Sequence, residues 1–218
     1  MILAARRGER MRPLTDATPK PLLEAGGKPL IAWLIESLAG AGFRELVINV
    51  SHLGARVESA LGDGRRWNVL IRYSHELEAL ETAGGIANAL PLLGREPFAV
   101  VNGDVHTDFD FSTLAAPKSG DLAHLVLIDN PAHHPTGDFA LEGRRVALEG
   151  TPKYTFSGIG VYDPSLFADI PAGTKCQLAA VLKPNIAAGR VSGEHFGGRW
   201  CDVGTPERLK ALDRALRA

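Results

Sequence analysis

The sequence predicts a single layered α/β domain. Short apolar runs rich in β-branched residues alternate with segments whose apolar residues recur at helical spacing, which is typical of helices packed on a sheet. The 218 residues, 45% of them apolar, are enough to bury the core of one domain. No internal repeat, low-complexity tract or linker divides the chain, although its second half is more irregular than its first.

Each element follows from a local pattern. Strands are predicted where short apolar runs lie between turn residues, at 1–5, 46–50, 69–73, 98–101, 122–128 and 156–162, with a hairpin over 139–148 around Gly143-Arg144. Helices are predicted where apolar residues recur every three or four positions, from Pro29 to Gly40 and at 57–61, 82–93, 177–188 and 206–216.

The composition excludes several classes of function. The 24 basic and 25 acidic residues lack the basic excess of proteins that bind nucleic acid. No apolar stretch approaches the roughly 20 residues of a membrane-spanning helix, and residues 1–5 are too short for a signal peptide. Cys176 and Cys201 have no zinc-site or disulfide spacing. We therefore expect a cytoplasmic protein that binds small molecules, not nucleic acid or membranes, as a monomer or weak homodimer.

The loop after the first strand is the most informative segment. Small residues at Ala4 and Ala5 allow backbone N–H groups to approach a polyphosphate closely. Four cations in this loop repel one another unless an anion compensates them: Arg7, Arg10, Arg12 and Lys20. The alternative is a solvated basic loop. The absence of a G-x-x-x-x-G-K-[ST] motif excludes a P-loop enzyme, and Asn49-Val50-Ser51 stands where an NAD enzyme needs an acidic residue.

Two carboxylates follow apolar strands. Asp104 ends the first such run, at the position where open α/β sheets bind ligands. Asp202 precedes a helix that Thr205 caps, with Pro206 at its first position. Since Mg²⁺ takes one or two carboxylates and completes its coordination with water and phosphates, we predict that this pair binds Mg²⁺. The neighbouring Cys201 is predicted to face the core rather than to act as a nucleophile.

A glycine-containing segment at 80–86 predicts a binding surface for a base. Gly84 and Gly85 open a helix and leave room for a flat ring to pack on the backbone, where peptide groups read its edge. The alternative is an ordinary glycine-containing turn.

Together these segments resemble the sugar-1-phosphate nucleotidyltransferase family. The family loop reads L-A-A-G-x-G-x-R-M-x-P-L-T followed by P-K-P, and the chain keeps Gly8, Arg10, Met11, Pro13, Leu14, Thr15 and Pro19-Lys20-Pro21. N-G-D at 102–104, W-x-D-x-G-T at 200–205 and L-x-T-x-G-G at 80–85 also match. The stretches 124–131, 156–158 and 191–196 resemble the short N-acetylmuramate-1-phosphate uridylyltransferases of bacterial cell-wall recycling.

The resemblance runs from residue 1 to about residue 212 and implies a fold. It is a three-layer α/β/α Rossmann-like nucleotidyltransferase fold with a mixed, mostly parallel central sheet. One domain is expected over 1–218, with a nucleotide-binding half at about 1–110 and a sugar-binding half at about 111–218.

The resemblance also implies roles for individual residues. Arg10 would hold the triphosphate tail and Lys20 the reacting phosphates, so that these two and Asp104 form the catalytic set. The implied nucleotide-binding residues are Ala4, Ala5, Gly8, Glu9, Arg10, Lys20, Glu81, Thr82, Gly85, Asn102 and Asp104. The implied sugar-binding residues are Asp104, Gly137, Glu149, Ser157 and Asp202, and the implied metal ligands are Asp104 and Asp202. Lys153 either meets the sugar phosphate or is a solvated lysine.

The implied reaction joins UTP and N-acetylmuramate 1-phosphate to give UDP-N-acetylmuramate and pyrophosphate, and it needs Mg²⁺. One alternative is the same chemistry on mannose 1-phosphate with GTP, or on glucose 1-phosphate with UTP or dTTP. Another is a nucleotide-sugar-binding module weakened by Arg6, which stands where the family has its first loop glycine. Its bulk, and strain of about 1–3 kcal/mol if the turn needs a left-handed backbone, predict weaker UTP binding.

Overall fold

A computed structural model describes residues 1–218, and the contacts within the chain divide it into two compact units. Unit 1 comprises Met1–Ala79, Asn102–Thr113 and Trp200–Ala218, and unit 2 comprises Leu80–Val101 and Leu114–Arg199. The units interleave along the chain, so neither is a continuous segment. The expected division into a nucleotide-binding and a sugar-binding half is functional and stays a prediction.

The predicted strands and helices are all present, with ends that differ by a few residues. The strands are β1 (Ile2–Leu3), β2 (Glu24–Ala25), β3 (Lys28–Pro29), β4 (Glu45–Val50), β5 (Leu70–His75), β6 (Phe98–Asn102), β7 (Val105–Thr107), β8 (Ala123–Ile128), β9 (Phe139–Glu142), β10 (Arg145–Ala147), β11 (Lys153–Tyr162), β12 (Val191–Phe196) and β13 (Trp200–Asp202). The helices are α1 (Leu14–Ala17), α2 (Leu30–Gly40), α3 (Gly54–Leu61), α4 (Glu81–Leu93), α5 (Leu178–Ala187) and α6 (Pro206–Arg217). None of the helices has the length and apolarity needed to span a bilayer.

Unit 1 contains parallel strands in the order β5-β4-β1. The carboxyl ends of parallel strands lie at one edge of the sheet. There β1 ends directly before the segment that carries Arg7, Arg10, Arg12 and Lys20, here called the basic loop. The short strands β7 and β13 pair antiparallel in the same unit. A cluster of buried residues joins the loop to α6: Met11, Leu23, Ala25, Leu30, Val203, Leu209 and Leu212. The basic loop and the start of α6 are therefore held by one apolar core.

Unit 2 contains strands in the order β6-β11-β8-β12-β10-β9. All six residues of β8 are buried, which explains why its sequence is apolar apart from His124 and does not alternate between apolar and polar residues. In this unit β12 and β8 pair in parallel. Strand β11 runs antiparallel to both β6 and β8. The pairing is therefore mixed, as predicted: the strands β5-β4-β1 of unit 1 pair in parallel, whereas most pairs of unit 2 are antiparallel.

Strand β12 was not predicted from the sequence. Its residues Ser192, Gly193 and Glu194 break the apolar pattern that marks a strand. Gly193 packs closely enough that an added Cβ would lie 2.9 Å from the carbonyl oxygen of Leu125 and 2.8 Å from Cγ2 of Val146. Long-range pairing with β8 therefore fixes this strand, and local propensity does not.

Candidate active site

The basic loop of unit 1 closes around a left-handed glycine. Gly8 has φ 68° and ψ 45°, a conformation that favours glycine. Its carbonyl oxygen accepts hydrogen bonds from Met11 N and from Thr15 Oγ1, both at 2.9 Å. A Cβ at Gly8 would lie 3.1 Å from Cδ of Lys20 and 3.2 Å from Cγ2 of Thr15. The loop therefore packs against the stem of Lys20, and only glycine fits there without strain.

The ammonium group of Lys20 meets the carboxylate of Asp104. Lys20 is 8% exposed and lies between two prolines, which restrict its backbone. Its Nζ donates a hydrogen bond to Oδ2 of Asp104 and forms an ion pair with it, and 22% of the Asp104 side chain is exposed. The structure thus brings together two residues that lie 84 positions apart and that the sequence placed in one site.

Asp104 is positioned by a close approach of the backbone to β1. The N–H of Gly103 donates to the carbonyl oxygen of Leu3 at 2.9 Å. A Cβ at Gly103 would lie 2.8 Å from that same oxygen, so that a side chain would separate the two segments. The basic loop, which follows Leu3, and Asp104, which follows Gly103, therefore begin at neighbouring points of the backbone.

The second predicted carboxylate, Asp202, lies on the strand beside Asp104. In the antiparallel pair β13–β7, Asp202 faces Val105, and Val203 N donates to the carbonyl oxygen of Asp104 at 2.8 Å. Oδ1 of Asp202 accepts from Nη1 of Arg208, on α6, and 22% of the Asp202 side chain is exposed. Both carboxylates thus lie on neighbouring segments, each with its own cation.

Cys201 faces the core, as the sequence predicted. Its side chain packs against the apolar cluster that joins the loop to α6. Burial raises the pKa of the Cys201 thiol, and the negative charges of Asp202 and Asp104 raise it further, against the opposing charge of Arg208. A thiol in this setting is a poor nucleophile, since the reactive form is the thiolate.

The arginines of the basic loop differ in whether a carboxylate of the chain neutralises their charge. Arg12 Nε forms an ion pair with Oδ1 of Asp16 at 3.2 Å. The exposed guanidinium of Arg10 makes no hydrogen bond or ion pair with the chain. Arg6 is exposed but is not among the residues with positive φ, and only Gly8 has positive φ in this loop. The expected left-handed strain at Arg6 is therefore absent.

Gly84, at the start of α4 in unit 2, packs against protein backbone rather than providing the predicted surface for a base. Ala83 N and Gly84 N both donate to the carbonyl oxygen of Cys176, at 3.0 and 3.1 Å. A side chain at Gly84 would collide with the carbonyl oxygen of Thr174. Gly84 therefore makes room for the segment 174–176. The nucleotide roles of Glu81, Thr82 and Gly85 in this helix stay predictions.

The predicted sugar-binding residues of unit 2 have structural partners. Ser157 is 1% exposed; its hydroxyl donates to the carbonyl oxygen of Val126 at 2.7 Å and accepts from Ile159 N at 3.1 Å, at a bulge of β11. Gly137 has φ 65°, and an added Cβ would lie 2.7 Å from Oδ1 of Asn130. These contacts favour structural roles at both positions, and the sugar contacts stay predictions.

Glu149, the third predicted sugar-binding residue in unit 2, is exposed. Its Oε2 lies 3.7 Å from Nζ of Lys153, which is partly buried. Glu149, predicted to contact the sugar, and Lys153, considered for its phosphate, are therefore neighbours.

Comparison with known proteins identifies the family. The family model described as nucleotidyl transferase matches residues 1–139, which include the loop, Lys20 and Asp104. The chain belongs to this family.

Several relatives match over most of the chain. An N-acetylmuramate alpha-1-phosphate uridylyltransferase of Neisseria meningitidis is 54% identical over 96% of this chain and 94% of its own. An enzyme of the same name from Caulobacter vibrioides is 33% identical over 99% of this chain and 96% of its own. The mannose-1-phosphate guanylyltransferase catalytic subunit beta of Drosophila melanogaster is 41% identical over 95% of this chain and 59% of its own.

Solved structures confirm the fold. A Bacillus anthracis protein in complex with sucrose superposes with a TM-score of 0.86 at 22% identity, covering 99% of this chain and 94% of its own. HddC from Yersinia pseudotuberculosis, complexed with GMP-PN, gives 0.79 at 21% identity, covering 98% of this chain and 97% of its own. The α/β nucleotidyltransferase fold predicted from the motifs is thus confirmed.

The sequence did not predict that Asn49 of β4 and Glu76, which follows β5, support the residue where the basic loop begins. Oδ1 of the buried Asn49 accepts from Ala4 N at 2.7 Å, and its Nδ2 donates to Oε1 of the buried Glu76, also at 2.7 Å. The N–H of Ala4 is therefore committed to Asn49 and is not directed at a phosphate. A polar residue inside the apolar run of β4 was the available signal.

Proposed function

We propose that the chain transfers the uridylyl group of UTP to N-acetylmuramate 1-phosphate, which gives UDP-N-acetylmuramate and pyrophosphate. The observation that carries this proposal is the 54% identity with the Neisseria meningitidis uridylyltransferase over nearly the full length of both chains. The juxtaposition of Lys20, Asp104 and Asp202 in unit 1 supports it. Because UTP is a cytoplasmic metabolite, we place this activity in the cytoplasm, where it would serve peptidoglycan recycling.

The residues present fit a Mg²⁺ ion. Asp104 and Asp202 supply hard oxygen donors that water reaches, and no group of three or more His, Cys, Asp or Glu side chains is suited to a closed metal cage. A pair of carboxylates that leaves other positions to water and phosphate is the donor set that Mg²⁺ prefers. When bound, Mg²⁺ neutralises the phosphate oxygens and stabilises the charge that develops on the leaving pyrophosphate.

The chain's own residues supply position and charge. The buried ammonium of Lys20 is fixed by its prolines and by Asp104, so it presents a positive charge at one place without reorganisation. The guanidinium of Arg10 is exposed and uncommitted, and its planar fork suits two phosphate oxygens at once. We assign both residues to the triphosphate, together with the backbone around Ala5, Gly8 and Glu9.

The reaction needs no protein nucleophile. An oxygen of the sugar phosphate forms a bond to the α-phosphorus of UTP, while the bond from that phosphorus to the bridging oxygen breaks and pyrophosphate leaves with the electron pair. The Cys201 thiol, with its raised pKa and core packing, has no part in this step.

A matrix of substrates tests the proposal. Pyrophosphate release is measured with UTP, GTP and dTTP against the 1-phosphates of N-acetylmuramate, mannose and glucose. We expect the highest kcat/KM for UTP with N-acetylmuramate 1-phosphate. A higher value for GTP with mannose 1-phosphate would overturn the substrate assignment. Tight UTP binding without pyrophosphate release in any combination would indicate a binding module instead.

A further inference from the structure

Arg208 is a cation at an unfavourable place in its helix. It lies in the first turn of α6, where its N–H donates to Oγ1 of the capping residue Thr205 at 3.4 Å. The helix macrodipole disfavours positive charge in a first turn. The ion pair with Asp202 offsets this cost, and 20% of the Arg208 side chain stays exposed. Sequence analysis gave this arginine no role.

A second guanidinium borders the same point of the backbone. A Cβ added at Gly204 would collide with Nη2 of Arg208 and would lie 3.2 Å from Nη2 of Arg10. Gly204 therefore leaves space for both arginines, which become near neighbours. Like charges at short range repel unless an anion lies between them, and Arg10 has no counter-ion within the chain. Two planar forks side by side suit the oxygens of a phosphate group.

Lys20 and Arg208, the cations paired with the two carboxylates, differ in how far their side chains can move. Lys20 is 8% exposed, and its stem packs against Gly8. Arg208 has a longer and more exposed side chain, which reaches Asp202 from the first turn of α6. A divalent ion that takes Asp202 competes with Arg208 for the same carboxylate. Of these two cations, Arg208 is the one whose side chain has space to move away from its carboxylate.

We propose that Arg208 is an exchangeable counter-ion. Without a divalent cation it holds Asp202, and when a cation takes that carboxylate the guanidinium turns to bind phosphate oxygens beside Arg10. The identity of the phosphate, a triphosphate or the pyrophosphate product, rests on the proposed function. The exchange makes cation binding and phosphate binding cooperative, because each frees a group that the other needs. Arg208 is thus a positioning residue for Asp202 in one state and a phosphate ligand in the other.

The test measures two ligands separately, Mn²⁺ and inorganic pyrophosphate, with no nucleotide or sugar present. We expect Arg208→Met to bind Mn²⁺ about fivefold more tightly, which corresponds to about 1 kcal/mol for losing a partly exposed competing ion. With Mn²⁺ present, the same variant is expected to bind pyrophosphate about tenfold more weakly, as for the loss of one charge-assisted hydrogen-bond partner. Without Mn²⁺ its pyrophosphate affinity should equal that of the wild type, because Arg208 is then committed to Asp202.

Three further variants keep the test decisive. Arg208→Lys retains the charge, so we expect near wild-type Mn²⁺ affinity and an intermediate loss of pyrophosphate affinity. Gly204→Ala displaces the guanidinium without removing it and should change both affinities in the same directions as Arg208→Met, by less. Arg214→Met, on the same helix, removes an arginine that bonds the carbonyl oxygen of Lys210 and should change neither.

Two results would overturn the exchange. Equal or weaker Mn²⁺ binding by a folded Arg208→Met protein would show that Arg208 only supports Asp202. An equal loss of pyrophosphate affinity with and without Mn²⁺ would show that Arg208 is a fixed phosphate ligand. Neither result depends on which substrate the enzyme uses, so a failure of the substrate matrix leaves this test intact.

Discussion

The carboxylate–cation pairs of unit 1 differ from the buried polar groups of unit 2. In unit 1, Lys20 and Arg208 face Asp104 and Asp202, and 22% of each carboxylate side chain stays exposed. In unit 2, Ser157 is 1% exposed, and its hydroxyl both donates and accepts within the unit. A charged pair that water reaches can change partners at low cost, whereas a buried group that loses its partner incurs the full cost of desolvation.

The buried histidine of unit 2 extends the contrast. His124 lies within β8, with its Nδ1 3.0 Å from Oγ of Ser192 and its Nε2 3.3 Å from Oε1 of Glu194, both on β12. These bonds link two neighbouring parallel strands and fix their register. The carboxylate–cation pairs of unit 1 are therefore suited to binding, whereas Ser157 and His124 of unit 2 hold strands in place.

The largest test of this contrast removes a carboxylate of unit 1. We expect Asp104→Asn to lower kcat about 100- to 1000-fold, or about 2.7–4 kcal/mol of barrier, and Asp202→Asn to do the same. The melting temperature should change little, because asparagine keeps an oxygen that accepts from the neighbouring cation. Pyrophosphate release and thermal denaturation measure the two effects.

Asp110 supplies the matched control for this prediction. Its carboxylate accepts from N and Oγ of Ser112, at 2.9 and 2.6 Å, on the segment that follows β7. Asp110→Asn should keep wild-type turnover. Wild-type turnover of Asp104→Asn in limiting Mg²⁺ would make the unit 1 carboxylates structural and would remove the contrast.

Replacing Lys20 by methionine separates its charge from its packing. Lys20→Met keeps a stem against Gly8, so the melting temperature should stay nearly constant. Turnover should fall about 100-fold, because a fixed positive charge beside the phosphates is lost. Lys28→Met, which removes a lysine paired with Glu36, is the control and should keep full activity. A large drop in melting temperature with normal turnover would mark Lys20 as structural.

Ser157→Ala tests the opposite side of the comparison. Removing its hydroxyl leaves the carbonyl oxygen of Val126 and the N–H of Ile159 without that partner, and we expect a loss of about 1–3 kcal/mol in the free energy of unfolding. kcat and the KM for the sugar phosphate should stay at wild-type values. Ser165→Ala, at an exposed turn, is the control for stability. A raised KM with unchanged stability would instead support the sugar contact that the sequence predicted.

Arg6→Gly should produce the smallest effect. Since Arg6 is not at positive φ, the substitution relieves no left-handed strain, and its effect comes from removing the bulk and the charge of the side chain. We expect UTP to bind a few-fold more tightly, below the tenfold change that about 1.4 kcal/mol would give. Calorimetric titration of UTP into both proteins measures this. Weaker binding by the glycine form would mean that Arg6 is itself a phosphate ligand.

The sequence predicted those features that local patterns determine. Apolar runs located the strands, and the motif spacing identified Lys20, Asp104 and Asp202, which the structure brings into one unit. Thr205 caps α6 as predicted, because a cap depends on a residue and its next three neighbours.

Features set by distant segments were not predictable in this way. Arg208 in Pro-Glu-Arg-Leu has the pattern of a solvated helix residue, and its role depends on how β13 aligns with β7. Gly84 suggested open space for a base, but a segment about ninety residues later fills that space. In both cases the chemistry of the residue was visible and its partner was not.

The interleaving of the two units has a consequence for synthesis. The basic loop and Asp104 leave the ribosome well before Trp200–Ala218, which carries Asp202 and Arg208. At a translation rate of about 5–20 residues per second, the interval between Asp104 and Asp202 lasts about 5–20 seconds. During this interval a nascent chain holds the cationic loop and one carboxylate only. The two proposed metal ligands are therefore both present only late in translation, and a ribosome that stalls within residues 114–199 carries a chain without Asp202.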